Sequence, residues 1–408
     1  MKYFKFSRII KILNKEIKNL IYIIVSIIFY IIDTFYPKKK NLILFTQKHN
    51  LFSDNSKALF EYINFYEKDF NAIWIASDEA GKRKILAFNK DFKVISIKSL
   101  EGILTLLSAK TVVVSNSLHD FFPYFKTSFR KEAVQLWHGI KWSKQYEYPN
   151  NNFTNDLTVI CSSSEEHKDL MSRHNLIDKN KIYVTGFSRN DIFFNLSKEN
   201  IKKNLPKKVI NDLNKKIILY TPTHKEDISS IFFPFKDLNI KKLNNFFYQN
   251  NIIIYLRPHI NDSNKSKEKW LNYFSKFKMS NIKDLTFSEL EDINFLLPFT
   301  KIVITDYSAI YTDAMLLDIP TIFIPYDLEI YKKKRGLVYN YENITAGHKV
   351  YNQASFEKSI NEIINDANKY SSKLNEIKNI FHQYKDGKSS ERIMHIIKER
   401  LDLRKWEN

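Results

Sequence analysis

The sequence predicts an α/β protein made of two facing, doubly wound, Rossmann-like domains, and three observations predict it. Short apolar runs alternate with helix-like stretches in two successive series separated by a polar break, the pattern of parallel sheets with crossover helices. The chain has 408 residues, too many for one ordinary core. In both series the polar residues with chemical potential stand at the carboxyl ends of the apolar runs, the edge at which open α/β sheets bind ligands.

The composition is that of a globular protein, 44% hydrophobic and 15% aromatic, with a formal net charge of +19. Such an excess points to a polyanionic partner: nucleic acid, an anionic membrane or a phosphorylated substrate. The single cysteine, Cys161, excludes an internal disulfide and a Cys-based zinc site, and fits a reducing, cytoplasmic compartment.

Residues 1–40 form a membrane-associating segment. Leu20–Ile32 is apolar sequence broken only by Ser26, with Lys11, Lys15 and Lys18 before it and Lys38, Lys39 and Lys40 after it. As a helix it spans roughly 20 Å, short of the hydrocarbon core. No small-residue cleavage site follows, which argues against a cleaved signal peptide. Three arrangements fit: a helix lying in the interface, a tilted span using residues 17–36, and a buried core helix.

The first domain is assigned to residues 41–205. Strands are expected at 41–45, 72–76, 93–97, 111–115, 133–137, 157–160 and 182–184. No Gly-x-Gly-x-x-Gly and no Walker-type loop occurs, which disfavours dinucleotide and P-loop binding. Two strand ends stand out. Trp137-His138-Gly139-Ile140-Lys141 puts a histidine beside a glycine, where backbone can approach a ligand. In Gly186-Phe187-Ser188-Arg189-Asn190-Asp191, Arg189 is suited either to a bidentate phosphate contact or to a structural Arg–Asp pair.

A polar, lysine-rich stretch over 195–215 is expected as linker, and the second domain is assigned to 206–385. Its strand ends carry Thr221-Pro222-Thr223-His224-Lys225 and Arg257-Pro258-His259. Helices are expected at 355–367, 370–384 and 389–402, with 386–408 crossing back to the first domain. The centre of this half is Lys301–Asp313. Ile302-Val303-Ile304 reads as a strand buried on both faces, and Asp306 and Ser308 as cap-type residues before a helix, ended by Pro320. Free amides at that helix start suit an anion; an ordinary capped βαβ unit is the plainer alternative.

Taken together, Trp137-His138-Gly139, Gly186-x-x-Arg189-Asn190-Asp191, Tyr220-x-Pro222-Thr223, Arg257-Pro258-His259 and Thr305-Asp306-Tyr307-Ser308-x4-Asp313 resemble the CDP-glycerol glycerophosphotransferases of wall teichoic acid and capsule synthesis. Pro320-x5-Tyr326-Asp327-x3-Tyr331 and Arg335-Gly336 continue the resemblance, which covers about 41–385. The chain departs from the family pattern at Ile140-Lys141, Ser188 and Ala309. The resemblance implies a GT-B-like fold, nucleotide held mainly by the second domain, and peripheral association with the cytoplasmic face of a bacterial membrane.

It further implies transfer of glycerol phosphate or another polyol phosphate from a CDP-linked donor to a membrane-linked glycan hydroxyl, with release of CMP. On this basis His138 and His259 are the candidate catalytic residues. Trp137, Gly139, Ile140, Lys141, Arg189, Pro222, Thr223, Arg257, Pro258, Asp306, Ser308, Ala309 and Asp313 are candidates for substrate binding. Arg189 and Arg257 would neutralise phosphate and Asp313 would meet ribose or polyol hydroxyls. No Asp-x-Asp pair occurs, so no tightly bound metal is indicated, and Mg²⁺ would accompany only the donor diphosphate. CDP-glycerol or CDP-ribitol is the expected donor and nucleic acid is not an expected partner. A GT-B glycosyltransferase using a sugar nucleotide and a non-enzymatic basic binding protein are the competing functions.

Overall fold

A computed structural model describes residues 20–121, 128–140, 142–144, 156–175, 177–223, 225, 231–259 and 279–403. Among the described residues, thirteen strands form two sheets. The first contains β1 (Lys39–Thr46), β2 (Asn71–Ala76), β3 (Val94–Ser96), β4 (Ala109–Val114), β5 (Glu132–Gln135), β6 (Val159–Ser162) and β7 (Ile182–Val184), in the order β3-β2-β1-β4-β5-β6-β7. The second contains β8 (Lys216–Tyr220), β9 (Ile252–Leu256), β10 (Ile282–Asp284), β11 (Thr300–Thr305), β12 (Thr321–Phe323) and β13 (Gly347–Lys349), in the order β10-β9-β8-β11-β12-β13. Neighbouring strands pair in parallel, as in the register Val303↔Thr321. Both orders reverse beside the first strand of the sheet, at β1/β4 and β8/β11. These are the switch points where a crevice opens outside the carboxyl ends.

The central strands are buried along their length, as β4 and β9 show, because helices cover both faces of each sheet. Side chains divide by alternation: Leu42 and Leu44 of β1 enter one core, Ile43 and Phe45 the other. β10 and β13 have no counterpart among the expected strands. They hold Ile282-Lys283-Asp284 and Gly347-His348-Lys349, too polar to register as apolar runs, and that polarity suits the exposed edges of a sheet.

The polar stretch expected as linker is short helical turns. Ile201, Leu205 and Val209 are buried there against Leu219, Ile253 and Tyr255 of the second sheet. At the other end of the chain, the helix Ser389–Leu403 returns to the first sheet, where Ile393, Met394, Ile397 and Leu401 pack with Ile43, Phe45 and Trp74. Its start is capped by Asp191, whose carboxylate accepts from the amides of Ser389 (2.9 Å) and Ser390 (2.8 Å). Gly186 (φ +83°) permits the approach, since a Cβ there would lie 2.4 Å from the Ser389 hydroxyl.

Residues 20–35 are helical. Ser26, Phe29 and Asp33, at helical spacing, face inward and are buried, while Ile21, Ile24, Ile27, Ile28, Ile31 and Ile32 are exposed. The inward face is fixed by Asp33, which pairs with Lys38 and Lys131 and accepts from the Ser128 amide. Lys131 is fully buried, and burial pushes its ammonium down to about 8 against the pull of Asp33. The helix is thus a core element on one face and an uncovered apolar surface on the other. Among the described residues, no helix is long and apolar enough to cross a membrane.

Candidate functional site

β9, β8, β11 and β12 are consecutive neighbours in the second sheet. Their carboxyl ends therefore set Arg257-Pro258-His259, Pro222-Thr223, Asp306–Ser308 and Tyr326-Asp327 in one row. The first domain presents Trp137-His138-Gly139 after β5 and Arg189-Asn190-Asp191 after β7. The two sets meet: a Cβ built on Gly139 would lie 3.0 Å from the Ala309 Cβ and 3.4 Å from Arg189 Nη2. Gly139 has φ +133°, and Trp137 before it has φ +64°, which is costly for a bulky residue. Asn55 braces this backbone, donating from Nδ2 to the Trp137 carbonyl at 2.9 Å.

Several substrate-binding expectations change at this point. Trp137 and Ile140 are 1% exposed and belong to the core, so they support the loop from beneath. The Trp137 ring underlies that of His138, with centroids 5.8 Å apart and planes at 24°. Ala309 packs toward Gly139 and precedes the helix Ile310–Met315 without a side-chain cap. Lys141 and His224 lie outside the described residues.

Arg189 does not present its terminal nitrogens to open space. Nη1 donates to Asp54 Oδ1 (2.7 Å) and to the His138 carbonyl (2.9 Å), and Nη2 to Asp313 Oδ2 (2.8 Å) and Oδ1 (3.1 Å). The structural Arg–Asp pair, not the phosphate contact, is the arrangement present. Asp313 is correspondingly committed to Arg189 rather than to a sugar hydroxyl. Burial raises the Asp313 carboxyl, with Arg189 opposing. Asn190 lies beside this carboxylate.

Asp306 is likewise spent within the protein. Its Oδ1 accepts from the amides of Thr223 and Tyr307, both at 2.7 Å, and its Oδ2 lies 3.2 Å from Lys225 Nζ, a close ion pair that misses hydrogen-bond alignment. Thr223 Oγ1 in turn accepts from the Tyr307 amide at 3.2 Å. Lys225 also bonds Asp327 at 2.8 Å and lies over the Tyr326 ring. Tyr307 donates to Asp327 at 3.0 Å and stacks on Tyr331, with centroids 4.0 Å apart. The loop after β8 is thereby locked to the turn holding Ser308, whose hydroxyl accepts from the Ile310 amide at 3.4 Å.

Arg257 is 3% exposed and also departs from the expected phosphate role. It donates to the carbonyls of Leu285 (3.2 Å), Thr286 (2.7 Å) and Glu291 (3.3 Å), and its guanidinium lies 3.6 Å from the Phe287 ring centroid. It shapes the loop after β10. That loop reaches the first domain through Glu291, which accepts from the Phe52 amide at 2.8 Å and pairs with Lys84. Pro258 and His259 follow at the carboxyl end of β9.

The short helix of the central motif rests on His382, which is 3% exposed and bonds the Thr312 carbonyl through Nε2 at 2.7 Å. Burial pushes its pKa from 6.5 down to about 4, so the folded state requires the neutral ring. Between those values the unfolded chain binds more protons. Stability is therefore whole above about pH 6.5 and falls as pH drops toward 4, by about 3 kcal/mol from this group. His382→Gln keeps a donor without titrating. Urea unfolding at pH 7 and pH 4 should show the wild type losing about 3 kcal/mol more than this variant; parallel losses would refute the assignment.

Asn55 and Asp54 are residues of this junction that the sequence does not single out, whereas Lys225 belongs to the strand-end loop already marked. Asn55 is fully buried, and its Oδ1 accepts from the Arg189 amide at 3.0 Å. Both follow the carboxyl end of β1, so the rule that selected the other residues applies to them as well. Among the described residues, no group of three or more His, Cys, Asp or Glu is placed to hold a metal ion.

The family model for CDP-Glycerol:Poly(glycerophosphate) glycerophosphotransferase matches residues 28–399. The chain is 25% identical over 367 residues to a teichoic acid glycerol-phosphate primase of Bacillus subtilis, covering 85% of this chain and 89% of that protein. It is 27% identical over 384 residues to a teichoic acid glycerol-phosphate transferase of Staphylococcus aureus, covering 88% and 93%. Against a teichoic acid poly(ribitol-phosphate) polymerase of Bacillus spizizenii, identity is 26% over 331 residues, and the chain spans about half of that protein, 51%. Among solved structures, the wall teichoic acid polymerase TagF superposes with a TM-score of 0.71 at 20% identity, over 96% of this chain and 99% of that one, a likeness of fold.

Proposed function

The chain belongs to the CDP-glycerol:poly(glycerophosphate) glycerophosphotransferase family, and from that membership we propose that it transfers glycerol phosphate, or another polyol phosphate, from a CDP-linked donor to an acceptor hydroxyl of a membrane-linked teichoic acid or capsule chain. The observation that carries this is the meeting of Gly139 and Ala309. It brings the His138 loop of one domain against the Ser308 turn of the other.

In the reaction the acceptor oxygen attacks the distal phosphorus, the bond to the bridging oxygen breaks, and CMP leaves. His138 takes the hydroxyl proton. The Ser308 hydroxyl and the amides of the turn after Tyr307 receive the diphosphate, with Thr223 beside them and His259 donating to a phosphate oxygen. Asp306 and Arg257 hold these loops in shape. Mg²⁺ would be carried by the donor diphosphate and would neutralise its charge; among the described residues no group of three or more His, Cys, Asp or Glu is placed to hold it. The exposed apolar face of helix 20–35, followed by Lys39 and Lys40, lies in the membrane interface on the cytoplasmic side, while Lys38 is turned inward to Asp33 and the Leu107 carbonyl.

The test incubates the purified protein and bacterial membranes with CDP-glycerol, CDP-ribitol or a UDP-sugar, follows nucleotide release and weighs the product. CMP release from a CDP-polyol, dependent on membranes, is expected; turnover of the UDP-sugar alone would overturn the assignment. The same preparation tests the interface. Ile24, Ile28 and Ile31 all changed to Ser should abolish sedimentation with anionic vesicles, and unchanged sedimentation refutes it. Deleting the helix is the poorer experiment, because it strips Asp33 from the buried Lys131.

A further inference from the structure

The turn Ser188–Asp191 is a node between the two halves of the molecule. Ser188 Oγ donates to the Asn55 carbonyl at 2.9 Å, on the helix Asp54–Tyr66 that follows β1. Asp191 caps the helix that returns from the second domain. Between them, Arg189 reaches Asp54 and the His138 carbonyl in the first domain and Asp313 in the second. Asp54 takes φ +62° to place its carboxylate, a second non-glycine residue with positive φ at this junction after Trp137. Arg189 is 8% exposed and Asp313 3%, so the pair is formed out of water.

We propose that Arg189 is a positioning residue, a latch that makes the placement of the His138 loop depend on engagement of the two domains. One guanidinium nitrogen is shared between Asp54 and the carbonyl of His138, while the other is held in bidentate fashion by Asp313. The planar fork fixes these partners relative to one another, which a lysine cannot do. If the second domain withdraws, Asp313 leaves, and the guanidinium loses the partner that orients it against the His138 carbonyl. The base is then set only when the donor-binding domain is closed on it. The helix bearing Asp313 is the one that follows the Ser308 turn, so the signal and the diphosphate share one element. This rests on the proposed transferase reading for its activity arm, but not for its structural arm.

The experiment uses the full chain with Arg189→Lys, Asp313→Asn and the double variant, and the CDP-polyol that the donor panel identifies. Each single variant should lower kcat between 30- and 300-fold and leave the donor KM within threefold. The double variant should be no more than threefold worse than the worse single, because both remove one link. Solution scattering should show a larger radius of gyration for each variant, with the thermal transition of Asp313→Asn confirming a folded chain. A donor KM raised tenfold or more with kcat kept would make Arg189 a phosphate ligand, and multiplied losses in the double variant would make the two residues independent; either overturns the latch. If the wild type turns over no CDP donor, the functional assignment fails by itself. Scattering then still decides the latch, which an unchanged radius of gyration in all variants would refute.

Discussion

His138→Ala is expected to lower CMP release by 10² to 10⁴-fold, the range lost when a positioned general base is removed. Arg189 holds His138 through its backbone carbonyl, which alanine retains, and Asn55 holds the preceding carbonyl of Trp137. Removing the imidazole therefore leaves these two backbone anchors in place, and the Trp137 ring that lies beneath it is already core. CMP affinity and the thermal transition should be unchanged, because the nucleotide is assigned to the opposite domain. A variant within threefold of wild type would remove His138 as the base and leave His259 as the candidate. Loss of activity together with loss of the thermal transition would instead make His138 a structural residue.

The strands were legible in the sequence where their residues are apolar, in the sheet interiors and also in the edge strands β3 and β7. β8 and β9 are long apolar runs because both faces are covered, and covering both faces is what writes a continuous run into the sequence. β10 and β13 lie at sheet edges and carry polar residues, so they left no such trace. The site was legible by position rather than by role. Thr223, Asp306, Arg189 and Arg257 do stand beyond strand carboxyl ends, since topology alone lines them up. What each side chain does was not legible, because a buried arginine paired with carboxylates and one facing a phosphate have the same sequence signature. Arg189 and Arg257 proved to be committed to Asp313 and to loop carbonyls. The length of the central helix was likewise overread. It is expected to run until Pro320 ends it, but the regular helix ends at Met315 and turns lead on to Pro320.

Asp306→Ala should do more damage to the second domain than any other single change in its row of loops, with a loss of about 3–5 kcal/mol. Three groups depend on that carboxylate at a site only 3% exposed: the amides of Thr223 and Tyr307, and the ammonium of Lys225. Alanine leaves the part-buried Thr223 amide without this acceptor and the Tyr307 amide with only Thr223 Oγ1 at 3.2 Å, each loss costing about 1–3 kcal/mol where water cannot replace it. Lys225 keeps Asp327 at 2.8 Å, so its charge is weakened in partnership and not stranded. Asp306→Asn separates the two effects. Its Oδ1 still receives both amides and only the ion pair is lost, so the cost should fall to about 1–2 kcal/mol. Function should divide along the same line. With alanine, the β8 loop and the Ser308 turn lose their common acceptor, and donor KM should rise at least tenfold, whereas asparagine should keep it within a few-fold. Urea unfolding followed by circular dichroism, with donor KM measured on the folded protein, reads both quantities. An alanine variant as stable as wild type, or an asparagine variant as damaged as alanine, would show that the two amide bonds are not what holds this turn.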